Sequence, residues 1–130
     1  MQMQTNAVTA QIVNAAVEVH SAVGPGLLEG AYESCLYAEL RRRDPKVERQ
    51  VRLPVVYRGE LIDLGYRLDL LVADEVIVEI KAVAALADVH RAQLLSYLRL
   101  SGRRVGLLLN FNVTRMREGI VRLVNEFDES

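Results

Sequence analysis

The chain has 130 residues, of which 51% are apolar and 25% are charged, and its net charge is −1. These values fit one globular domain over residues 1–130, and they exclude a global basic field, so any nucleic-acid binding must be local. The single cysteine, Cys35, excludes an internal disulfide, a zinc ribbon and an iron-sulfur cluster held by this chain. The absence of an apolar run near ~20 residues, and of a signal-like start, predicts a cytoplasmic protein with no membrane partner.

The first third of the chain has helical periodicity. Apolar residues at helical spacing predict a first helix from Thr9 to Val23, and Gly24-Pro25 is a stop signal. A second helix is predicted after Gly26, ending in basic residues that suit its carbonyl end, before Asp44-Pro45 breaks it.

From Val47 the pattern becomes alternating and β-branched. We predict about four strands between Val47 and Ala82, with turns at Arg58-Gly59 and in the segment 63–65. Helical spacing returns from Asp88, which is expected to cap the helix, to Leu100, with Gly102 as the stop.

A short buried strand, Val105 to Phe111, and a last amphipathic helix, Met116 to about Phe127, complete the prediction. The predicted order is ααββββαβα. This order indicates an α/β domain with a mixed β-sheet flanked by helices.

The segments Gly65 to Val72 and Val76 to Ala82 form a predicted hairpin joined by a three-residue loop, 73–75. If Val72 faces Val76, then Asp69 faces Glu79 across the two strands. The residues of one face should form core: Leu68, Leu70, Val72, Val76, Val78 and Ile80. The other face should carry Asp69, Leu71, Ile77, Glu79 and Lys81.

Two carboxylates facing each other at a Cβ separation on the order of 5 Å repel unless a cation lies between them. Hard divalent ions such as Mg²⁺ prefer paired oxygen ligands of this kind. Lys81 is one of only two lysines in an arginine-rich chain, and its ammonium could position water or neutralise a phosphate. The alternative is a solvated sheet face with exchangeable ion pairs from Asp69 to Lys81 and from Glu79 to Arg67.

Three further polar residues are candidates for the same site. Gln93 and Tyr97 lie four apart on the helix that follows the Glu79 strand, so they share one helix face. Glu29 stands at the start of the second helix, where the helix dipole favours a carboxylate. Each is by itself also compatible with an ordinary polar boundary residue.

Taken in order, these residues resemble the motifs of RecB-like members of the PD-(D/E)XK nuclease superfamily. Gly26, Glu29 and Tyr32 are similar to the signature of the GxxExxY family, and the resemblance covers about residues 12–125. The matching motifs are Gly26-Leu27-Leu28-Glu29, Leu68-Asp69, Glu79-Ile80-Lys81, and Gln93 with Tyr97; the flanking Glu18-Val19-His20, Glu48-Arg49-Gln50 and Ala92-Gln93-Leu94-Leu95 also agree. The proline that usually precedes the aspartate is Leu68 here.

The resemblance implies a restriction-endonuclease-like fold and a nuclease that uses Mg²⁺ or Mn²⁺. Asp69 and Glu79 would bind the metal, with help from the Ile80 carbonyl, and Lys81 would be the catalytic lysine. Glu29 would be an additional metal or water ligand, and Gln93 with Tyr97 would support the site. His20 is either a further metal ligand, as a histidine ahead of the glutamate helix is in some RecB-like enzymes, or a boundary residue.

The expected partner is nucleic acid, DNA in preference to RNA, and the small size of the domain favours a homodimer on a duplex. A second hypothesis is a nucleic-acid-binding or assembly module that keeps the fold without turnover. A third is a purely structural subunit, which metal binding would exclude. Cleavage at ends or internally, and any sequence preference, are not encoded in a recognisable motif.

Overall fold

A computed structural model describes residues 2–43, 45–63 and 65–126, with side chains from Thr5 onward. Asp44 of the predicted helix break, Leu64 of the predicted turn and Phe127 of the last predicted helix lie outside these ranges.

Two helices open the chain. α1 runs from Gln2 to Val23, beginning earlier than predicted, and α2 spans Glu29–Arg42. The predicted stop after Val23 is confirmed: Gly24 has φ +70°, a left-handed conformation that glycine adopts without a Cβ penalty, and its N–H donates to the carbonyl of His20 at 2.8 Å.

The strands of the first half are more numerous than predicted. Five short strands, not four, lie between Val47 and Ala82: β1 Val47–Arg52, β2 Val55–Tyr57, β3 Glu60–Ile62, β4 Arg67–Val72 and β5 Val76–Lys81. The additional strand arises because the predicted turn at Arg58-Gly59, with φ of +50° and +80°, closes a small separate hairpin of β2 and β3.

The β4–β5 hairpin has the predicted register. Leu70 pairs with Val78 and Val72 with Val76, and the loop is the predicted segment 73–75. Ala73 and Asp74 both have φ +56°, which lets the chain reverse direction within three residues.

The second half returns to the sheet. α3 spans Asp88–Ser101 and ends at Gly102 with φ +74°, as predicted. Asp88 is the first helical residue rather than the cap; Ala87 occupies the cap position, and its N–H donates to Nδ1 of His90 at 3.0 Å. β6, Val105–Asn110, lies parallel to β5.

The predicted last helix is wrong. A 3₁₀ turn, Met116–Gly119, is followed by strand β7, Ile120–Val124, which pairs antiparallel with β6. The β-branched residues Ile120, Val121 and Val124 favour a strand, and β6 would otherwise present an unpaired edge.

The main sheet has the order β1-β4-β5-β6-β7, with both parallel and antiparallel pairs. One face packs under α1 and α2 and the other under α3, so β4 and β5 are buried on both sides. The prediction that Leu68 shares a face with Leu70 and Val72 is wrong. Leu68 packs on the other face, in the α3 core with Leu71 and Ile77. The predicted α/β class, a mixed sheet flanked by helices, is confirmed.

Candidate active site

The candidate site lies where the β4–β5 ladder ends. Backbone pairing stops at Leu70 and Val78, and the next pair in the register is Asp69 and Glu79. Side-chain bonds replace the ladder there: the N–H of Asp69 donates to Oε2 of Glu79 at 3.0 Å, and the N–H of Ile80 donates to Oδ2 of Asp69 at 2.8 Å. The two carboxylates are therefore held side by side between adjacent strands.

The pairing on the other side of Asp69 is also interrupted. In the register of β1 with β4, Gln50 stands opposite Asp69, but the paired positions are Arg49 with Leu70 and Val51 with Leu68. Gln50 has φ +53°, a conformation that non-glycine residues rarely adopt. Asp69 thus lies in a local opening of the sheet on both sides.

Burial makes this acidic pair electrostatically unfavourable. Glu79 is only 5% exposed, and burial, followed by the negative charge of Asp69, raises its pKa to about 8. Burial likewise raises the pKa of Asp69, while the Lys81 ammonium acts in the opposite direction on both carboxyls. The solvated-face alternative therefore does not describe Glu79, which is buried and bonds to the Asp69 backbone.

Lys81 is the last residue of β5 and is half-buried. Its carbonyl accepts the N–H of Phe111 at 3.0 Å, which fixes the backbone at the end of β5. Its side chain is close enough to both Asp69 and Glu79 to favour their charged forms.

α3 brings Tyr97 to the pair. Tyr97 is buried, and burial together with the negative charges of Glu79 and Asp69 raises its pKa. Its ring lies 5.9 Å from the ring of Tyr66, which precedes β4. Gln93, one turn earlier on α3, is exposed, and its contribution to the site stays a prediction.

α2 contributes acidic groups from the other face. Glu29 is its first residue, and the charges of Glu29 and Glu33 both raise the pKa of Asp69. Glu33 is buried and accepts hydrogen bonds from Arg49 at 3.0 Å and from Gln50 at 2.8 Å. Glu33 lies one helical turn after Glu29 and so shares its helix face, but no motif in the sequence marks it as a site residue.

The turn before α2 is fixed by Tyr32. The ring of Tyr32 is fully buried and stacks on Phe111 at 4.6 Å, while its hydroxyl donates to the Gly24 carbonyl at 2.6 Å and accepts the Leu27 N–H at 3.1 Å. These contacts fasten the segment 24–27 and thereby set where α2 begins at Glu29.

His20 lies near the end of α1, against the loop after β6. It is buried, and its Nε2 is 2.7 Å from the carbonyl of Val113, to which it can only donate. Its metal-ligand role stays a prediction.

The acidic pair fits a divalent ion with few protein ligands. Asp69 and Glu79 each use one oxygen in the bonds described, which leaves the second oxygen of each carboxylate for a cation. Within the described ranges, no three Asp, Glu, His or Cys side chains form a ready metal-binding group. Mg²⁺ does not require one, because it is commonly held by one or two carboxylates with waters in the remaining positions.

The model of the PD-(D/E)XK nuclease superfamily matches residues 6–123. The chain therefore belongs to the PD-(D/E)XK nuclease superfamily, and its five-stranded mixed sheet with flanking helices is the restriction-endonuclease-like fold. Searches of curated proteins and of solved structures gave no significant match. None of the helices in the described part of the chain is long and apolar enough to cross a membrane.

Proposed function

We propose that this protein is a divalent-metal-dependent nuclease that hydrolyses phosphodiester bonds, with DNA as its substrate in preference to RNA. The observation that carries the proposal is the pair of bonds at the end of the β4–β5 ladder, from the Asp69 N–H to the Glu79 carboxylate and from the Ile80 N–H to the Asp69 carboxylate. They fix the buried carboxylate of Glu79 beside the half-buried carboxylate of Asp69, near one lysine. Superfamily membership supports the same reaction class.

Asp69 and Glu79 would hold Mg²⁺ or Mn²⁺, with the Ile80 carbonyl as a further oxygen ligand. The ion, when bound, supplies the positive charge that activates water and offsets charge developing on the phosphate. The two carboxylates suit this role because their mutual repulsion must be relieved either by the proton that the raised pKa of Glu79 retains or by a cation that replaces it.

Lys81 would bind the scissile phosphate or the attacking water through its ammonium. The side chain projects from the end of β5, next to both carboxylates, so a phosphate held there meets a fixed positive charge. Tyr97 would close the site from the α3 side and exclude water, and Gln93 would contact the substrate from the exposed turn of the same helix.

Glu29 would bind a water or the metal at the open side of the site. Support comes from its electrostatic effect on Asp69 and from its placement by the Tyr32 contacts. We also propose membership of the RecB-like branch and of the GxxExxY family. Two residues of that signature have a structural role here: Gly26 has φ +102°, which favours glycine, and the Tyr32 hydroxyl bonds to the Gly24 carbonyl.

We further propose that residues 1–130 act as one cytoplasmic domain and that two copies assemble on a duplex. The reason for a pair is size, because a domain of this length covers little of a duplex by itself. Light scattering would test this, and a monomer at micromolar concentration would contradict it.

The competing candidate is a nucleic-acid-binding or assembly module without turnover. It is favoured by the lack of a ready three-ligand metal group within the described ranges. Such a module predicts DNA binding that neither requires Mg²⁺ nor leads to product.

The test is incubation of linear DNA, circular DNA and RNA with the protein in Mg²⁺, in Mn²⁺ and in EDTA, with Glu79→Ala as the control. The nuclease proposal predicts metal-dependent cleavage that Glu79→Ala abolishes. Absence of cleavage of all three substrates, with intact binding, would favour the module.

A further inference from the structure

We propose that a pocket between the end of α1 and the loop after β6 binds a backbone phosphate of the substrate strand, next to the cutting site. The pocket has a volume of about 450 Å³, and its polar lining consists of His20, Ser21, Thr114, Arg115 and Arg117. This inference rests on the proposed nuclease function for the identity of the strand, but nothing in the acidic pair itself requires it.

The charge of the pocket suits a phosphate. It is lined by two arginines and by no acidic side chain. Arg115 and Arg117 are exposed, and neither has an acidic partner within the described ranges. Guanidinium groups with hydroxyls beside them are the donors that phosphate oxygens accept best.

The pocket is built before any ligand arrives. Nε2 of His20 donates to the carbonyl of Val113 and so ties the loop to α1. The buried amide of Asn110 accepts the N–H of Asn112 at 3.2 Å, which holds the start of the loop, and the N–H of Val83 at 3.1 Å, which ties it to the segment after β5. A preformed loop avoids the entropy cost of ordering on binding.

The pocket lies at the same end of the central strands as Lys81, where β5 and β6 finish. β5 and β6 are parallel and Lys81 pairs with Asn110, so the loop that follows Asn110 begins one strand away from the catalytic lysine. Neighbouring strands are about 4.8 Å apart. The start of the loop is therefore near Lys81, and a nucleic-acid strand with its scissile phosphate at Lys81 would follow the loop to place a nearby phosphate in the pocket.

A second cavity, of about 420 Å³, lies at the opposite end of the central strands, where β5 and β6 begin, and has a different lining. Its lining includes Asp74 and Glu75 as well as arginines, and Arg103 is already paired with Asp74 at 2.6 Å. The acidic groups disfavour a phosphate there. The cavity that has arginines and no acidic side chain in its lining is thus the one at the strand ends that carry the candidate active site.

The experiment measures binding of a short fluorescein-labelled DNA duplex to the full chain in EDTA, by anisotropy, over a series of salt concentrations. Arg115→Gln with Arg117→Gln should raise Kd roughly tenfold and should lower the slope of log K against log salt by ~2. The matched control is Arg41→Gln with Arg42→Gln, two exposed arginines at the far end of α2. It removes the same charge and should leave the salt slope unchanged.

Equal effects of the two double variants, or no binding by the wild type, would overturn the phosphate pocket. Cleavage by the wild type is scored separately with Mg²⁺, so the two proposals fail independently. Pocket-dependent binding without cleavage would support the pocket and contradict the nuclease. Cleavage together with DNA binding that is unchanged in the Arg115 and Arg117 double variant would support the nuclease and contradict the pocket.

Discussion

The backbone N–H of Asp69 donates to the carboxylate of Glu79 at 3.0 Å, at the point where the β4–β5 ladder ends. A glutamate side chain here takes the place of a strand partner. The bond holds Glu79 beside Asp69 in a buried position, where the two like charges must be compensated by a proton or by a cation.

The first prediction concerns pH. The folded-state pKa of Glu79 is about 8, above its ordinary value of 4.5. Between these two pH values the folded protein keeps a proton that the unfolded chain loses. The stability that the neutral carboxyl contributes is therefore fully present below about pH 4.5 and is lost as pH rises through about 8. We expect the free energy of unfolding of the metal-free protein to fall between about pH 5 and pH 8, by at most ~1.4 kcal/mol per pH unit. Urea unfolding in EDTA measures it.

Glu79→Gln is the matched variant for this prediction, because the amide oxygen can still accept the Asp69 N–H but cannot titrate. It should flatten the pH dependence, whereas Glu60→Gln, at an exposed position of the β2–β3 hairpin, should preserve it. Parallel curves for wild type and Glu79→Gln would show that Glu79 does not retain its proton.

The second prediction concerns metal. The proposed site for Mg²⁺ or Mn²⁺ forms only in the folded chain, so a hundredfold excess of the ion over its Kd should stabilise the protein by ~2.7 kcal/mol. Because the ion displaces the proton of Glu79, binding should release a proton below about pH 8 and should tighten as pH rises. Thermal unfolding and calorimetry in buffers of different ionisation enthalpy measure both effects.

Glu79→Gln should lose the metal-induced rise in Tm, and Glu60→Gln should keep it. A wild type whose Tm ignores divalent ions would mean that the carboxylate pair is structural.

The third prediction concerns Tyr32. Tyr32→Phe keeps the stack on Phe111 but removes the hydroxyl that bonds to Gly24 and Leu27, so it should cost about 1–3 kcal/mol of stability. It should also lower the cleavage rate, because the turn that positions Glu29 loosens. Tyr37→Phe, at a half-buried position of the same helix, is the control for denaturant unfolding and for the rate. An unchanged stability would refute the fastening role.

The fourth prediction concerns Gly119, in the 3₁₀ turn that precedes β7. A Cβ at this position would lie 1.9 Å from the carbonyl oxygen of Asn110, a backbone atom that cannot move aside. Gly119→Ala should therefore destabilise the fold by ~3 kcal/mol. Gly30→Ala, in α2 with open space around it, should instead stabilise by about 0.5–1 kcal/mol. Equal unfolding free energies for the two variants would contradict the packing of this turn.

The β4–β5 hairpin could be predicted from the sequence because loop length and alternation together fix a register. Three loop residues between Val72 and Val76 place Asp69 opposite Glu79 without any knowledge of the rest of the fold. The interruption of both ladders at Asp69 was not predictable, since it depends on the φ of Gln50 and on side chains that replace backbone partners.

The segment from Ile120 to Val124 shows where periodicity is insufficient. Its apolar residues fit both a helical and a strand pattern over so short a length, and the available edge of β6 decides between them. Glu33 was missed for a similar reason, because its partners Arg49 and Gln50 come from β1, and the packing of α2 against β1 is a tertiary contact.

The most direct test of the proposed nuclease centre uses the only two lysines of the chain. Lys81 adjoins the acidic pair, whereas Lys46 is largely exposed and lies near Glu48. With saturating Mg²⁺ and DNA, the single-turnover cleavage rate should fall by about 10²-fold or more in Lys81→Gln and should be unchanged in Lys46→Gln. Equal cleavage rates for the two variants would contradict the assignment of the catalytic centre to Asp69, Glu79 and Lys81.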